Sequence, residues 1–378
     1  MASDKQDKVL NVPTLRFPEF TKNWECKCLY HFMTVNKDRN KDNIYSKDDV
    51  LSVSGELGIV NQIKLLGRSF AGKEVTDYHV VKTGDIVYTK SPLKEFPYGI
   101  IKLNRGEGGI VSTLYAVYET LENVDGRFIE YYFSSKDRIN RYLKPIVRIG
   151  AKHDMKIGNE EVLQNTIKIP SLQEQRRISD LLDLVCCRIK TQIRVIDKLE
   201  SLIRGLEQQL LKPKGNWRIC TIGDVLAIGS GKDYKHLSAG DIPVYGTGGY
   251  MLSVSDYLYD GDSVCIGRKG TIDKPLFMKG KFWTVDTLFY TYGFRDILPR
   301  YSYFLFQTIN WQKYNEASGV PSLSKDTIER IRIAIPDIDE QKRICLILDS
   351  IAEKVAIERS IQEQLVKEKN YLLRTMFV

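Results

Sequence analysis

The residues best suited to chemistry lie in a short loop at positions 267–272. Gly267-Arg-Lys-Gly-Thr-Ile272 directly follows a strand-like run, Ser263–Ile266. Arg268 can form a forked hydrogen-bond pair with guanine or bind phosphate, Lys269 suits phosphate, and Gly270 allows a backbone to approach closely. The loop therefore predicts contacts with a nucleic acid.

Four other polar segments offer similar chemistry. Pro243–Tyr250 places three glycines between two tyrosines, so its backbone amides can meet phosphate. Ala317–Lys325 is predicted as a loop before the last strand, and the corresponding places in the first half of the chain are Tyr88–Ser91 and Arg148–His153. The residues predicted to contact nucleic acid are Lys90, Ser91, Arg148, Lys152, His153, Tyr245, Gly246, Thr247, Gly248, Arg268, Lys269, Gly270, Thr271, Ser322 and Lys325. The alternative, that these are tight turns with solvated charges, stays open for each residue.

No catalytic motif accompanies these loops. Gly229-Ser-Gly231-Lys232 comes nearest to a phosphate-binding loop, but Leu226 stands where its first glycine belongs and Asp233 where its hydroxyl belongs. The seven cysteines include no C-x-x-C pair and the four histidines are dispersed, so neither a zinc site nor a disulfide framework is expected. The sequence predicts no catalytic residue and no metal site.

Length and charge set further bounds. A chain of 378 residues is expected to form two or three domains. A net charge of +8 allows a nucleic-acid partner without requiring one. The sequence contains no run of 18 apolar residues, so no membrane span is predicted. The start Met1–Lys8 is polar and does not predict a secretory signal. The odd number of cysteines and the lack of a paired pattern favour reduced thiols and therefore a cytoplasmic location.

The chain repeats itself. Ile169-Pro-Ser-Leu-Gln-Glu-Gln-Arg-Arg-Ile178 returns as Ile335-Pro-Asp-Ile-Asp-Glu-Gln-Lys-Arg-Ile344. Weaker matches precede it: Asn23-Trp24 with Asn216-Trp217, Gly84-Asp85 with Gly261-Asp262, and Thr113-Leu114 with Thr287-Leu288. The offset between copies falls steadily along the chain, which indicates one unit present twice with deletions in the second copy.

Each signature opens a long helical pattern. Apolar residues continue from about Gln173 to Leu211 in steps of three and four, until Lys212-Pro213 stops them, and a second pattern follows Pro336. A helix of this kind is roughly 58 Å long at 1.5 Å per residue. Its stripe must be buried, and the favoured partner is the other helix. Packing on each helix's own domain and an intermolecular coil remain the alternatives.

The segments between the helices read as mixed α and β. Gly84–Thr89 and Lys281–Tyr292 are strand-like, whereas Phe128–Phe133 and Tyr301–Thr308 are typical of short amphipathic helices. The predicted division is 1–170 for the first domain, 171–215 for the first long helix, 216–336 for the second domain and 337–378 for the second long helix.

This order of elements resembles the specificity subunit of a type I restriction-modification system. The resemblance rests on the repeated I-P-x-x-x-E-Q-[RK]-R-I signature, each copy opening a long helix. It is extended by Leu15-Arg-Phe-Pro-Glu-Phe20 before Trp24, by Tyr245–Gly249 and by Gly267–Thr271. It covers essentially residues 11–378. It implies two α+β target-recognition domains joined by two antiparallel helices that form an intramolecular coiled coil.

The resemblance also implies a function. The two domains would read the halves of a bipartite, asymmetric target in double-stranded DNA. The helices would act as a spacer and dock two methyltransferase subunits and, through these, the translocase-nuclease subunits. The chain would be a non-catalytic subunit of a restriction endonuclease and adenine methyltransferase, with S-adenosylmethionine, ATP and magnesium bound by its partners. The residues expected in the spacer and docking helices are Glu174, Gln175, Ile178, Leu182, Glu340, Gln341, Ile344 and Leu348. A helical scaffold that never reads DNA is the alternative.

Overall fold

The computed structural model describes residues 11–149 and 155–378, and the chain divides into two compact units. The first unit comprises residues up to Thr191 together with Gln362–Val378, and the second comprises Gln192–Ile361. Each unit therefore holds one globular domain and one stretch of each long helix. The four-segment division stated from the sequence stays a prediction.

The first unit consists of short antiparallel strands and three small helices. Its strands are β1 (Glu25–Cys28), β2 (Met33–Val35), β3 (Leu51–Ser54), β4 (Gly58–Asn61), β5 (His79–Val81), β6 (Ile86–Thr89), β7 (Ile101–Leu103), β8 (Gly109–Val111), β9 (Tyr115–Thr120), β10 (Arg148–Ile149), β11 (Met155–Lys156) and β12 (Thr166–Ile169). Its helices are α1 (Gln62–Leu66), α2 (Gly126–Phe133), α3 (Lys136–Leu143) and the first part of α4 (Leu172–Leu210).

The main sheet of the first unit has the strand order β2-β9-β6-β7, and β1 pairs with β12 beside it. Strand β6 is buried along its whole length, because the sheet is covered on both faces. One cover is helix α2, whose Phe128, Ile129 and Phe133 lie in the main core. The other cover is the β3–β4 hairpin, whose Leu51 and Ile59 pack on Val87 of β6 and Val117 of β9.

The second unit repeats this plan with fewer residues. Its strands are β13 (Arg218–Thr221), β14 (Ala227–Ser230), β15 (Ala239–Gly246), β16 (Gly249–Val254), β17 (Tyr259–Asp260), β18 (Ser263–Gly267), β19 (Leu276–Met278), β20 (Lys281–Thr284), β21 (Leu288–Tyr292) and β22 (Arg332–Ile335). Its helices are α5 (Ile222–Val225), α6 (Pro299–Thr308), α7 (Lys325–Glu329), the end of α4 and the first part of α8 (Ile338–Thr375).

The strand topology confirms the internal duplication. The main sheet of the second unit has the order β14-β21-β18-β19, which matches β2-β9-β6-β7 strand for strand. Strands β13 and β22 pair antiparallel as β1 and β12 do. The copies differ in their second layer: β15, β16, β17 and β20 form one four-stranded sheet in the second unit, where the first has separate two-stranded sheets.

The long helices have nearly the predicted bounds, and they pack together. In the first unit, Ile178 and Leu182 near the start of α4 share a core with Leu372 and Phe377 at the end of the chain. The second unit joins the end of α4 to the start of α8 in the same way, through Leu210, Ile344 and Leu348. The two helices are therefore antiparallel, as expected from the resemblance. Each stripe also packs on its own domain, so the two ways of burying it coexist.

Two local expectations were wrong. The strand-like run Lys281–Tyr292 is two strands in different sheets, because a turn at 285–287 separates β20 from β21. Lys325 begins helix α7 rather than lying in a loop, since Ser324 caps that helix by accepting a hydrogen bond from the backbone N–H of Thr327.

The seven cysteines are all free thiols. Across residues 11–149 and 155–378, the helices are too short or too polar to span a membrane.

Candidate nucleic-acid interface

The site begins where β18 ends. Gly267 is buried, and a Cβ atom at this position would lie 2.0 Å from the carbonyl oxygen of Thr271, so only glycine lets the loop turn back on itself. The backbone N–H of Arg268 then donates to the carbonyl of Thr287 at 2.8 Å. This bond fixes the start of the loop while the Arg268 and Lys269 side chains remain exposed.

Three predicted segments meet at this loop. Lys269 and Ser322 form an antiparallel bridge, and the backbone N–H of Gly270 donates to the carbonyl of Pro321 at 2.9 Å. Gly270 has a φ of +89°, and a Cβ atom there would lie 3.7 Å from Oγ1 of Thr247. The structure therefore brings together three segments that are separate in the sequence, the first and last of them more than 70 residues apart. We call Tyr245–Gly248, Arg268–Thr271 and Ser322 the loop cluster.

The turn at Thr284–Thr287 is hydrogen-bonded to two segments of the loop cluster. The backbone N–H of Val285 donates to the carbonyl of Tyr245 at 3.0 Å, and Thr287 accepts from Arg268. One turn thus fixes both the tyrosine strand and the arginine loop. The Arg268 guanidinium lies 6.0 Å from the Phe289 ring and donates weakly to the carbonyl of Asp286 at 3.4 Å. Among the described residues its charge has no carboxylate partner.

Lys232 is a basic residue that sequence reasoning missed. Its backbone N–H donates to the carbonyl of Thr284 at 2.9 Å, on the same turn that fixes Arg268. A Cβ atom at Gly231 would lie 1.9 Å from the carbonyl oxygen of Val285, so the Gly-Ser-Gly sequence serves close backbone packing. The side chain of Lys232 is exposed. The sequence signal for this residue is the lysine that ends the Gly229–Lys232 segment, a segment that otherwise resembles a phosphate-binding loop.

The candidate residues of the first unit are arranged differently. Nζ of Lys90 donates to the carbonyl of Ile157 at 3.0 Å and to Oδ1 of Asn159 at 2.6 Å. Burial lowers the pKa of Lys90, and Glu161 partly offsets this effect. Ser91 is half-buried beside it, and Arg148 is exposed in β10. Lys152 and His153 lie outside the described residues.

A cleft of about 460 Å³ lies next to Lys90 in the first unit. Asn159 and His79 are among its lining residues, together with Lys37, Arg39 and Glu160. His79 is buried, and burial together with the positive charges of Arg39 and Lys90 lowers the pKa of His79 to about 4. His79 is therefore neutral at pH 7, where its ring contacts the Arg39 guanidinium.

The signature residues of the long helices are largely buried inside their own units. Glu174 accepts hydrogen bonds from Nε and Nη2 of Arg16 at 2.7 and 2.8 Å and from Nε1 of Trp24 at 3.1 Å. The hydrogen bond with Glu174 raises the pKa of Arg16. Glu340 is less buried and pairs with Arg343 and Lys214. These contacts tie each helix to nearby segments of its own unit.

Large apolar side chains are nevertheless exposed along both helices. Leu184 and Leu346 are 70% and 73% exposed, and Leu202 and Ile357 are about half exposed or more. The other signature residues predicted for docking, Gln175, Ile178, Leu182, Gln341, Ile344 and Leu348, are no more than 1% exposed. A partner would therefore meet the first group and not the second.

Comparison with known proteins places this architecture in a class. Over 97% of this chain and 99% of the other, the fold matches the crystal structure of a type I restriction-modification S subunit from M. genitalium, with a TM-score of 0.66 and 14% identity. A second structure, described as showing complex assembly and conformational transition of the type I restriction-modification system, matches over 93% and 96% of the two chains, with a TM-score of 0.54 and 17% identity. The chain thus shares the fold of these structures.

Sequence comparison finds similarity to a known family in the second half of the chain. Residues 214–367 match the family described as type I restriction modification DNA specificity domain. The EcoprrI type I restriction enzyme specificity subunit of Escherichia coli is 24% identical over 140 residues, and a Haemophilus influenzae relative whose name also describes such a subunit is 26% identical over 117 residues. These matches span 34% and 30% of both this chain and the relatives. The resemblance to type I specificity subunits is confirmed.

Proposed function

We propose that this chain is the DNA-reading subunit of a type I restriction-modification complex. The observation that carries the proposal is the loop cluster, which lies inside the segment matching a DNA specificity domain. It presents exposed Arg268 and Lys269 on a backbone fixed by hydrogen bonds to Thr287 and Pro321. A forked guanidinium on a fixed backbone suits guanine, and an ammonium beside it suits phosphate.

The two domains are proposed to read different halves of a bipartite, asymmetric target. They share a main-sheet topology but present different side chains where β6 and β18 end. The ammonium group of Lys90 donates a hydrogen bond to Asn159, whereas the side chain of Arg268 is exposed. Two different short half-sites read together multiply specificity, since each mismatched base pair costs about 1–3 kcal/mol. Joining both readers in one chain also raises the effective concentration of the second contact.

The long helices are proposed to dock two methyltransferase subunits, which in turn bind the translocase-nuclease subunits. The support is the exposure of large apolar side chains on both helices, among them Leu184, Leu202, Leu346 and Ile357, since exposed apolar surface commonly marks protein contacts. In this proposal the chain performs no catalysis. S-adenosylmethionine, ATP and magnesium are bound by the partners.

The test is a map of modified adenines across the genome of a methylation-free host that expresses this chain with its methyltransferase subunit. We expect a split motif with a spacer of fixed length, absent without this chain. The double variant Arg268→Ala with Lys269→Ala is expected to abolish or relax one half of the motif. Loss of a guanidinium contact to a base alone costs about 1–3 kcal/mol.

The matched control is Lys279→Ala with Arg295→Ala. These two exposed residues remove the same charge from the same domain, but they follow the ends of β19 and β21 that lie beside Ser263, at the opposite end of β18 from Gly267. The control should leave the motif intact. If both double variants leave the motif and the DNA affinity unchanged, the loop cluster is not the reading site. If no split motif appears although the proteins co-purify, the helical scaffold replaces DNA reading as the function.

A further inference from the structure

The glutamine of the repeated signature forms a junction in the first unit. Gln175 is 1% exposed on the first turn of α4. Its Oε1 accepts from the backbone N–H of Asp125, the N-cap residue of α2, at 3.0 Å, and its Nε2 donates to the carbonyl of Pro170 at 3.0 Å. Pro170 directly follows β12. One side chain therefore connects the long helix, the short domain helix and the strand end.

The second unit contains the same junction. Gln341 is fully buried, and its Oε1 accepts from the backbone N–H of Leu298 at 2.8 Å. Leu298 is the N-cap residue of α6, and its apolar side chain cannot cap a helix. Nε2 of Gln341 donates to the carbonyls of Pro336 and Asp296, both at 2.9 Å. Pro336 follows β22 as Pro170 follows β12.

An ion pair repeats alongside each glutamine. In the first unit, Arg127 of α2 donates to Asp183 of α4 at 2.9 Å. In the second, Arg300 of α6 donates to Asp349 of α8 at 2.7 Å. Each arginine stands two residues after its N-cap residue. Two different polar contacts thus join the same pair of helices in both copies.

We propose that Gln175 and Gln341 are positioning residues that fix the angle at which each recognition domain meets its long helix. The proposal rests on the proposed DNA-reading function. The hydrophobic effect is non-directional. Packing of apolar side chains favours certain helix crossing angles but leaves a scatter of about ±15–20° around them. A buried amide with both ends hydrogen-bonded is directional, so any rotation of the domain breaks a bond that water cannot replace. Base readout requires such a fixed approach.

The experiment compares Gln341→Met and Gln175→Met with the control Gln209→Met. Methionine keeps the length and helix propensity of glutamine but removes both polar atoms, and Gln209 is exposed on α4. Each variant is expressed with the methyltransferase subunit, and modified adenines are mapped. We expect Gln341→Met to increase methylation of sites with one changed base in the second domain's half-site by about tenfold, the penalty that one mismatch normally imposes. Gln175→Met should relax the other half-site.

The pattern across sites separates positioning from simple loss of stability. A structural role would lower methylation of all sites together and leave the motif unchanged, and that result would overturn the proposal. If Gln341→Met fails to fold, Asp349→Asn tests the same joint through a half-exposed ion pair, and an unchanged second half-site there also refutes it. Absence of any split motif with the unmodified chain would instead count against the DNA-reading function itself.

Discussion

Two leucines two positions apart on α4 separate the packing role of the long helix from its proposed docking role. Leu182 is fully buried in the core of the first unit, whereas Leu184 is 70% exposed. Both side chains have the same size and lie in the same stretch of helix. Leu182→Ala and Leu184→Ala therefore change equal chemistry in opposite environments.

The expected loss in the free energy of unfolding is several-fold larger for Leu182→Ala than for Leu184→Ala. Leu182→Ala removes buried methyl groups beside Ile178 and Val185 and should lower the free energy of unfolding of the first unit by about 2–5 kcal/mol. For a unit of about 200 residues, a loss of about 3 kcal/mol lowers Tm by about 6–12 °C. Leu184→Ala should change the free energy of unfolding by less than about 0.5 kcal/mol.

Thermal unfolding followed by circular dichroism measures the first effect, and co-purification with the methyltransferase subunit measures the second. We expect Leu184→Asp to keep the Tm of the unmodified chain and to lose partner binding, because a carboxylate would have to be desolvated at the contact. Equal Tm values for the two alanine variants would refute the assigned packing. Undiminished partner binding by Leu184→Asp would remove this residue from the docking surface.

Two further predictions concern the recognition domains. Gly267→Ala should disrupt the loop cluster and abolish one half of the methylation motif, because its Cβ would clash with the Thr271 carbonyl. The control Gly215→Ala lies in the same unit outside the loop cluster, where a Cβ atom meets open space, and it should leave the motif unchanged. His79 has a folded pKa of about 4 against an ordinary value near 6.5, so its contribution to the stability of the first unit is present above pH 6.5 and is lost as the pH falls towards 4. The free energy of unfolding, measured by urea unfolding between pH 7 and pH 4, should fall less steeply with pH in His79→Gln than in the unmodified chain. An identical pH dependence would exclude this residue as the cause.

The duplicated plan also shows where the two domains can diverge. The main sheet, the strand pair beside it and the helix junction recur in both copies, whereas the second layer differs in strand number and pairing. In the first unit, Lys90 directly follows β6, and its ammonium group donates a hydrogen bond to Asn159 of the same unit. In the second, the residues after β18 remain exposed. A constant frame with a variable outer layer suits two readers of different sequences.

The elements that depend on local pattern could be predicted from the residue order alone. The stripe from Ile178 onwards predicted α4 to within one residue at each end, because helical periodicity and the Pro213 stop are local signals. The falling offset between copies established the duplication. The mixed α/β character followed from short apolar runs separated by turns.

Which residues these elements bring into contact depends on the tertiary structure. The loop cluster joins Thr247, Gly270 and Ser322 through backbone hydrogen bonds and close glycine contacts, none of which has a signature in residue order. Burial likewise reassigned the signature residues: Gln175 and Gln341 look polar and exposed in the sequence, but the structure makes them internal caps for distant helices. Long-range packing determines which polar atoms are withdrawn from water, and a local pattern carries no record of it.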